Sequence, residues 1–169
     1  MNYATGTKGG ALEKVPKGII PPVKHLTSLP FPGQASKNPG RVWETYLIEP
    51  PTYLPRLVSD LKDRGVQIEQ RTFESVKDVH QLRESAIVDC MGLGAKEIFN
   101  DSNLIPYRGH LVHLKPDRKY SWLLVHSGYI FPRSDSIVLG GSWERGETSL
   151  DPNPKILEGI FKRNKNFFI

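Results

Sequence analysis

The sequence has 169 residues, 38% hydrophobic and 24% charged, with a formal net charge of +5 from 23 Lys and Arg against 18 Asp and Glu. That composition belongs to a globular protein, and no apolar run approaches the ~18 residues a membrane-spanning helix needs. The single cysteine, Cys90, excludes an internal disulfide and fits a reducing compartment, and the opening Met-Asn-Tyr-Ala-Thr-Gly has neither the basic region nor the apolar core of a secretory signal.

Residues 1–40 hold six of the 15 glycines and six of the 14 prolines, with Ile19, Ile20 and Leu26 as isolated core-like points. They read as a Gly/Pro-rich, loop-like or partly disordered lead. Five lysines against Glu13 alone give this lead a net charge of +4. No nucleic-acid-binding signature accompanies the charge, so it reads as solvated surface and neither a nucleic-acid nor a membrane partner is expected. Order is expected from Arg41. The run 42–48, Val-Trp-Glu-Thr-Tyr-Leu-Ile, is β-branched and aromatic and stops at Pro50-Pro51, as a strand does. Leu54, Leu57, Val58 and Leu61 then recur at helical spacing, which predicts an amphipathic helix with one buried face, ended by Gly65. Residues 66–69 alternate as a short strand. The compact apolar run 86–90, Ala-Ile-Val-Asp-Cys, reads as a buried, parallel strand feeding a helix over 95–99. Strands follow at 109–114 and 122–125. Two apolar runs, 129–131 and 137–139, are separated by Pro132 and a polar Arg-Ser-Asp-Ser segment, as in an antiparallel hairpin. Asp151-Pro-Asn-Pro caps a last helix whose apolar face is Ile156, Leu157, Ile160 and Phe161. Phe167-Phe168-Ile169, with no strand after it, reads as the end of a shortened chain.

The candidate sites each have a dull alternative. Gly92-Leu93-Gly94 stands between a strand and a helix, where helix N–H groups and absent Cβ atoms admit an anion, but Glu97 occupies the third glycine position of a dinucleotide fingerprint. A secondary contact to a cofactor held elsewhere is the better reading. His110 and His113 are three apart in a strand, face opposite sides and make poor joint metal ligands, so no metal is expected. Cys90 reads as a small core residue. No serine stands in a Gly-x-Ser-x-Gly elbow. Gly140-Gly141, at the end of the hairpin, means either relief of strain or a place where something approaches the backbone closely. Arg108, Tyr129, Arg133 and Trp143 are groups that strands could present to a carboxylate ligand, the alternatives being surface arginines and core aromatics.

Four segments taken together resemble the D-amino-acid oxidase family of FAD-dependent flavoenzymes: Glu44-Thr-Tyr-Leu-Ile-Glu-Pro-Pro-Thr-Tyr-Leu-Pro, Val88-Asp-Cys-Met-Gly-Leu-Gly-Ala, Pro106-Tyr-Arg-Gly-His, and Tyr129-Ile-Phe-Pro-Arg with Leu139-Gly-Gly-Ser-Trp-Glu-Arg-Gly. The resemblance covers residues 41–160. It implies an α+β or α/β fold: a substrate-binding mixed β-sheet, to which residues 41–73 and 106–143 would belong, with part of an FAD-binding Rossmann-type domain, to which residues 86–104 would return. Residues 161–169 would be a truncated end. Cys90, Met91 and Gly92 match a family Cys-Thr-Gly whose backbone lies near FAD, and Met91 lacks the threonine hydroxyl. Tyr129 matches a tyrosine whose hydroxyl helps hold the substrate carboxylate. Val125 stands where some members have a second tyrosine, and Trp143 stands where aspartate-preferring relatives can place an arginine, which implies neutral or apolar D-amino acids. No residue here matches a catalytic acid or base.

The activity so implied is FAD-dependent oxidative deamination of D-amino acids to imino and 2-oxo acids, ammonia and hydrogen peroxide. The partners would be a D-amino acid, oxygen and a second copy in a homodimer. The compartment would be peroxisomal or cytoplasmic, although no peroxisomal tripeptide ends the chain. The family's N-terminal glycine fingerprint and its principal carboxylate-binding arginine are not found. The chain is therefore expected to be inactive alone, the second reading being a non-catalytic binding or assembly partner.

Overall fold

The structure is a computed structural model that describes residues 1–6, 16, 18, 19 and 21–169. The chain divides into two units, one of Met1–Pro50, Gly109–Trp143 and Asp151–Ile169, the other of Pro51–Arg108 and Glu144–Leu150.

The first unit is built on a mixed sheet. Its strands are β1 (Asn2–Thr5), β2 (Lys24–Leu26), β3 (Gly40–Trp43), β5 (Val112–Leu114), β6 (Leu123–Val125), β7 (Tyr129–Pro132) and β8 (Ile137–Gly140), with β4 (Tyr107–Arg108) falling in the second unit. Among the described residues seven strands run in the order β2-β3-β1-β6-β7-β8-β5. Among the described strands of this sheet only the β1–β6 pair is parallel.

Side chains alternate across the pleat, so the register assigns each residue a face. Tyr3, Val112, Leu124, Ile130, Ile137 and Leu139 share one face, which packs on Leu29, Phe31 and Ala35 and on Ile156 and Ile160 of the helix α4 (Pro154–Asn166). Leu29, Leu124 and Ile160 are the largest fully buried side chains. Phe31 is an aromatic hub, with ring centroids 5.0 Å from Tyr3, 4.6 Å from Trp122 and 5.9 Å from Phe168. Tyr129, Phe131, Val138 and Gly140 lie on the opposite face.

The expected loop-like lead over 1–40 is therefore corrected. Asn2–Thr5 is an inner strand, Gly33–Lys37 is a 3-10 turn, and Leu29, Phe31 and Ala35 belong to the core. A few well-spaced apolar residues suffice because the sheet supplies their partners, a long-range effect that local composition does not register. Lys8, Glu13, Lys14, Lys17 and Ile20 lie outside the described residues. The strand expected over 42–48 stops at Trp43, opposite Asn2 at the end of β1, where its partner runs out. Beyond it Tyr46 is 95% exposed. Residues 161–169, expected as a truncated end, continue α4 to Asn166 and return Phe167 and Phe168 to the core.

The second unit contains α1 (Pro50–Asp63), α2 (Val76–His80), α3 (Leu93–Phe99) and the antiparallel pair β4 and β9 (Glu144–Arg145). Of residues 41–73, expected in the sheet, only those up to Trp43 form a strand of it, and residues 51–108 fall in the second unit. The predicted helix forms as α1, yet none of its residues is buried, and Leu54, Leu57 and Val58 stay exposed. Residues 66–69 and 86–90, expected as strands, are irregular and exposed, Val88 by 86%. A strand needs a neighbour to take its backbone N–H and C=O groups, and among the described residues none pairs with either segment.

Leu124→Ala should cost about 2–5 kcal/mol, the range for removing a fully buried leucine from a core that cannot collapse around the gap. Urea unfolding of the two proteins, read by tryptophan fluorescence, measures it.

Candidate functional site

The β7–β8 hairpin places Tyr129 directly opposite Gly140. The two glycines at the strand end exist for that neighbour. A Cβ on Gly140 would lie 2.0 Å from Tyr129 Cζ and 2.4 Å from its hydroxyl oxygen, and one on Gly141 would lie 3.0 Å from Cε1. The phenol ring therefore lies across bare backbone that no other residue type would leave free. Its other contact is Phe131, stacked at 4.6 Å and 26°. Val125 is its cross-strand partner on β6 and is exposed. Tyr129 is half-buried, and its hydroxyl makes no hydrogen bond among the described residues. Trp143, three residues past the end of β8, is 77% exposed.

Both arginines considered as carboxylate forks are already engaged. Arg133 pairs with Asp135, donating from Nε at 2.9 Å. In the second unit, Arg108 donates to Glu144 from Nε at 3.0 Å and Nη2 at 2.9 Å, and to the Ser149 carbonyl at 3.0 Å. A bidentate pair of this kind consumes the fork geometry that would recognise a ligand carboxylate.

His110 is buried and structural. The Asn153 N–H donates to its Nε2 at 3.0 Å, so a neutral ring carries its proton on Nδ1, 3.4 Å from Ser142 Oγ. That oxygen also accepts from the His110 backbone N–H at 2.8 Å. A histidine whose Nδ1 holds the proton and whose Nε2 is occupied cannot take a proton from Ser142, so this pair does not activate a serine nucleophile. The strand expected over 109–114 is only Val112–Leu114, so His110 precedes it, and His113 within it has Nδ1 3.1 Å from Ser136 Oγ. Among the described residues no group of three or more His, Cys, Asp and Glu could hold a metal ion.

A third set of residues escaped the sequence reading. Arg163 and Asn164, late in α4, reach the carbonyls of Gly141 and Gly140 at 2.9 and 3.4 Å, and Asn164 Oδ1 meets His126 Nε2 at 2.9 Å. They lie more than 20 residues from the glycines they contact, on a helix whose apolar stripe drew attention to the other side. No local pattern points to them.

In the second unit, Cys90, Met91 and Gly92 form an irregular segment leading into α3. Cys90 is exposed, not the buried core residue expected, because the strand that would bury it does not form. Asp89 Oδ1 accepts from the Met91 N–H at 2.8 Å and fixes the turn. Gly92, at φ 57° and ψ −127°, adopts a conformation open to glycine, and a Cβ there would meet nothing within 4 Å. Exposed backbone and free space beside a helix start suit the approach of a large cofactor through main-chain contacts.

Comparison with known proteins bears on both units. The family model described as FAD dependent oxidoreductase (DAO) matches residues 27–169. A D-amino-acid oxidase of Dictyostelium discoideum is 32% identical over 120 residues, covering 70% of this chain and 34% of the relative. A D-amino-acid oxidase of Streptomyces coelicolor is 31% identical over 123 residues, 69% of this chain and 38% of the relative. A D-aspartate oxidase of Homo sapiens is 29% identical over 126 residues, 73% of this chain and 37% of the relative. The chain thus spans a little more than a third of the length of these relatives. Among the described residues no helix is long and apolar enough to cross a membrane.

His126 provides a pH test of the network behind Gly140. Burial lowers its pKa below the ordinary value of about 6.5, and the Arg163 charge adds to that, against an opposing hydrogen bond to Asn164. The unfolded chain therefore takes up this proton first as pH falls, so the stability is present above about pH 6.5 and declines as pH drops toward the folded-state pKa. Thermal melting should show a midpoint that falls between pH 7 and pH 5, and a shallower fall in His126→Gln.

Proposed function

Because the chain belongs to the DAO family of FAD-dependent oxidoreductases, we propose that it provides the substrate-binding part of an enzyme that oxidatively deaminates D-amino acids. One observation carries the reading: Tyr129, clamped over Gly140 and Gly141, has a hydroxyl that no described residue claims. A phenol O–H held in one place and left without a partner suits a substrate carboxylate. The engaged arginines support the same assignment, since Arg108 and Arg133 are neutralised by their own carboxylates. Trp143 is the second substrate contact we assign. Its uncharged, exposed indole favours neutral or apolar side chains over acidic ones.

Cys90, Met91 and Gly92 are assigned to FAD, through backbone and not side-chain contacts. Their exposed main chain and the open space at Gly92 fit such a group. Bound FAD supplies the two-electron acceptor for the hydride leaving the substrate Cα. The residues of this chain contribute orientation: Tyr129 holds the carboxylate, and that hold directs which face of Cα is presented. No acid–base pair is required of them, because a hydride transfer from a correctly placed amino acid depends chiefly on geometry. The imino acid then hydrolyses to a 2-oxo acid and ammonia, and oxygen is reduced to hydrogen peroxide.

A second reading, a non-catalytic binding or assembly partner, draws on the exposed apolar side chains Tyr46, Val88 and Leu150, at 95%, 86% and 95%. Side chains of this kind commonly mark contact surfaces.

Grafted in place of the matching segment of a D-amino-acid oxidase and loaded with FAD, the chain is expected to give an enzyme that forms peroxide from D-alanine and none from L-alanine. Tyr129→Phe should raise KM for D-alanine about 10–100-fold, the equivalent of about 1.5–3 kcal/mol for a hydrogen bond to a charged group. Equal peroxide from both enantiomers, or an unchanged KM in Tyr129→Phe, contradicts the reading. An inactive graft, together with co-purification of the chain with a full-length relative, favours the assembly partner.

A further inference from the structure

The helix α4 does more than cover the core. Arg163 Nη2 donates to the Gly141 carbonyl at 2.9 Å, and Asn164 Nδ2 lies 3.4 Å from the Gly140 carbonyl while donating to the Ile160 carbonyl at 2.8 Å. These are the two residues over which the Tyr129 ring lies. The Asn164 amide is itself oriented, because its Oδ1 faces His126 Nε2 at 2.9 Å and His126 stacks on Phe167 at 4.4 Å. The approach is tight. A Cβ on Gly128 would lie 2.4 Å from the Gly140 carbonyl oxygen and 3.5 Å from both Arg163 Nε and Asn164 Nδ2, so any larger residue at that corner would push the grip apart. Arg163 Nε is buried with no partner among the described residues. An unpaired buried donor is costly and calls for an explanation, and here the guanidinium is held where one of its nitrogens meets Gly141.

We propose that Arg163 and Asn164 are positioning residues for Tyr129. By fixing the Gly140 and Gly141 carbonyls from behind the sheet, they keep the bare backbone platform in the one arrangement that admits the phenol ring and aims its hydroxyl. Residues that touch no substrate thereby set the geometry of one that does. The inference rests on the reading of Tyr129 as a carboxylate contact for its functional meaning, although the geometric claim can be tested without it. Arg163 carries the larger share, since its hydrogen bond is the shorter and Asn164 is also committed to Ile160.

The test uses the whole chain with 13C-labelled tyrosine rings. The Tyr129 signal is identified among the six tyrosines by its loss in Tyr129→Phe. The ring lies on Gly141, so the Gly141 Hα resonances carry its ring-current shift. Arg163→Ala is expected to move or broaden the Tyr129 ring signal and to collapse that shift, Arg163→Lys to restore most of it, and Asn164→Ala to give a smaller change. Tyr53 and Tyr107, in the other unit, should be unaffected. Should Arg163→Ala not fold, Arg163→Met keeps the stem without any donor and makes the same distinction. Unchanged Tyr129 and Gly141 signals in a folded donor-less variant overturn the proposal. Equal changes at Tyr53 and Tyr107 also overturn it, because they would indicate a general folding role. Titrating the unmodified chain with D-alanine separates the two readings: if the Tyr129 signal does not respond, the substrate contact fails, while the positioning result stands on its own spectra.

Discussion

The structure turns on the absence of two Cβ atoms. Tyr129 and Gly140 are paired across an antiparallel hairpin, and the phenol ring fits only because Gly140 and Gly141 present bare backbone to it. The register that produces this pairing is fixed from the other face. A slip of one residue would carry Ile130, Ile137 and Leu139 out of the core they share with Phe31 and Ile160. Burial on one side of the sheet therefore determines which side chain stands over the glycines on the other. The position of the Tyr129 hydroxyl is a consequence of hydrophobic packing, with α4 serving both sides: Ile156 and Ile160 fill the core, and Arg163 and Asn164 hold the strand end.

The electrostatic arrangement follows the same economy. Arg108 and Arg133 are neutralised locally, and His110 and His113 are tied into serine and backbone hydrogen bonds. At the hairpin, the neutral Tyr129 hydroxyl has no hydrogen-bond partner among the described residues. An uncharged donor can orient a carboxylate without contributing acid–base chemistry, and orientation is the requirement that a hydride transfer places on the protein. In the second unit, a Cβ on Gly92 would meet nothing within 4 Å, and that open backbone is what our proposal of a main-chain contact to FAD draws on.

How much of this could be read from the residues depended on the range of the interactions. The hairpin was legible, because Pro132 and the Arg-Ser-Asp-Ser segment separate two β-forming runs that pair as expected over Tyr129–Pro132 and Ile137–Gly140. The last helix was legible from its apolar spacing and its cap, and Asn153 does accept from the Lys155 and Ile156 N–H groups. The runs at 66–69 and 86–90 have strand composition and form no strand, since β-structure requires a neighbour that sequence cannot supply. The opposite error occurred at 1–40, where glycine and proline content concealed an inner strand held almost wholly by distant partners. At the site, the glycine pair was compatible with either relief of strain or a close approach, and the ring lying over it decides for the second. Tyr129 was named from family resemblance, and only the three-dimensional register identified it as the group that approaches. Arg163 and Asn164 left no local signal, because they act through backbone carbonyls that any residue would carry.

The central claim is that Tyr129 aims its free hydroxyl at a substrate carboxylate. A crystal structure of the chain with FAD and a D-amino acid tests it most directly. The account predicts a ligand carboxylate oxygen about 2.6–3.2 Å from the Tyr129 hydroxyl, with the ring still lying on Gly140 and Gly141. A bound D-amino acid whose carboxylate is held elsewhere, with the Tyr129 hydroxyl unengaged, would contradict it.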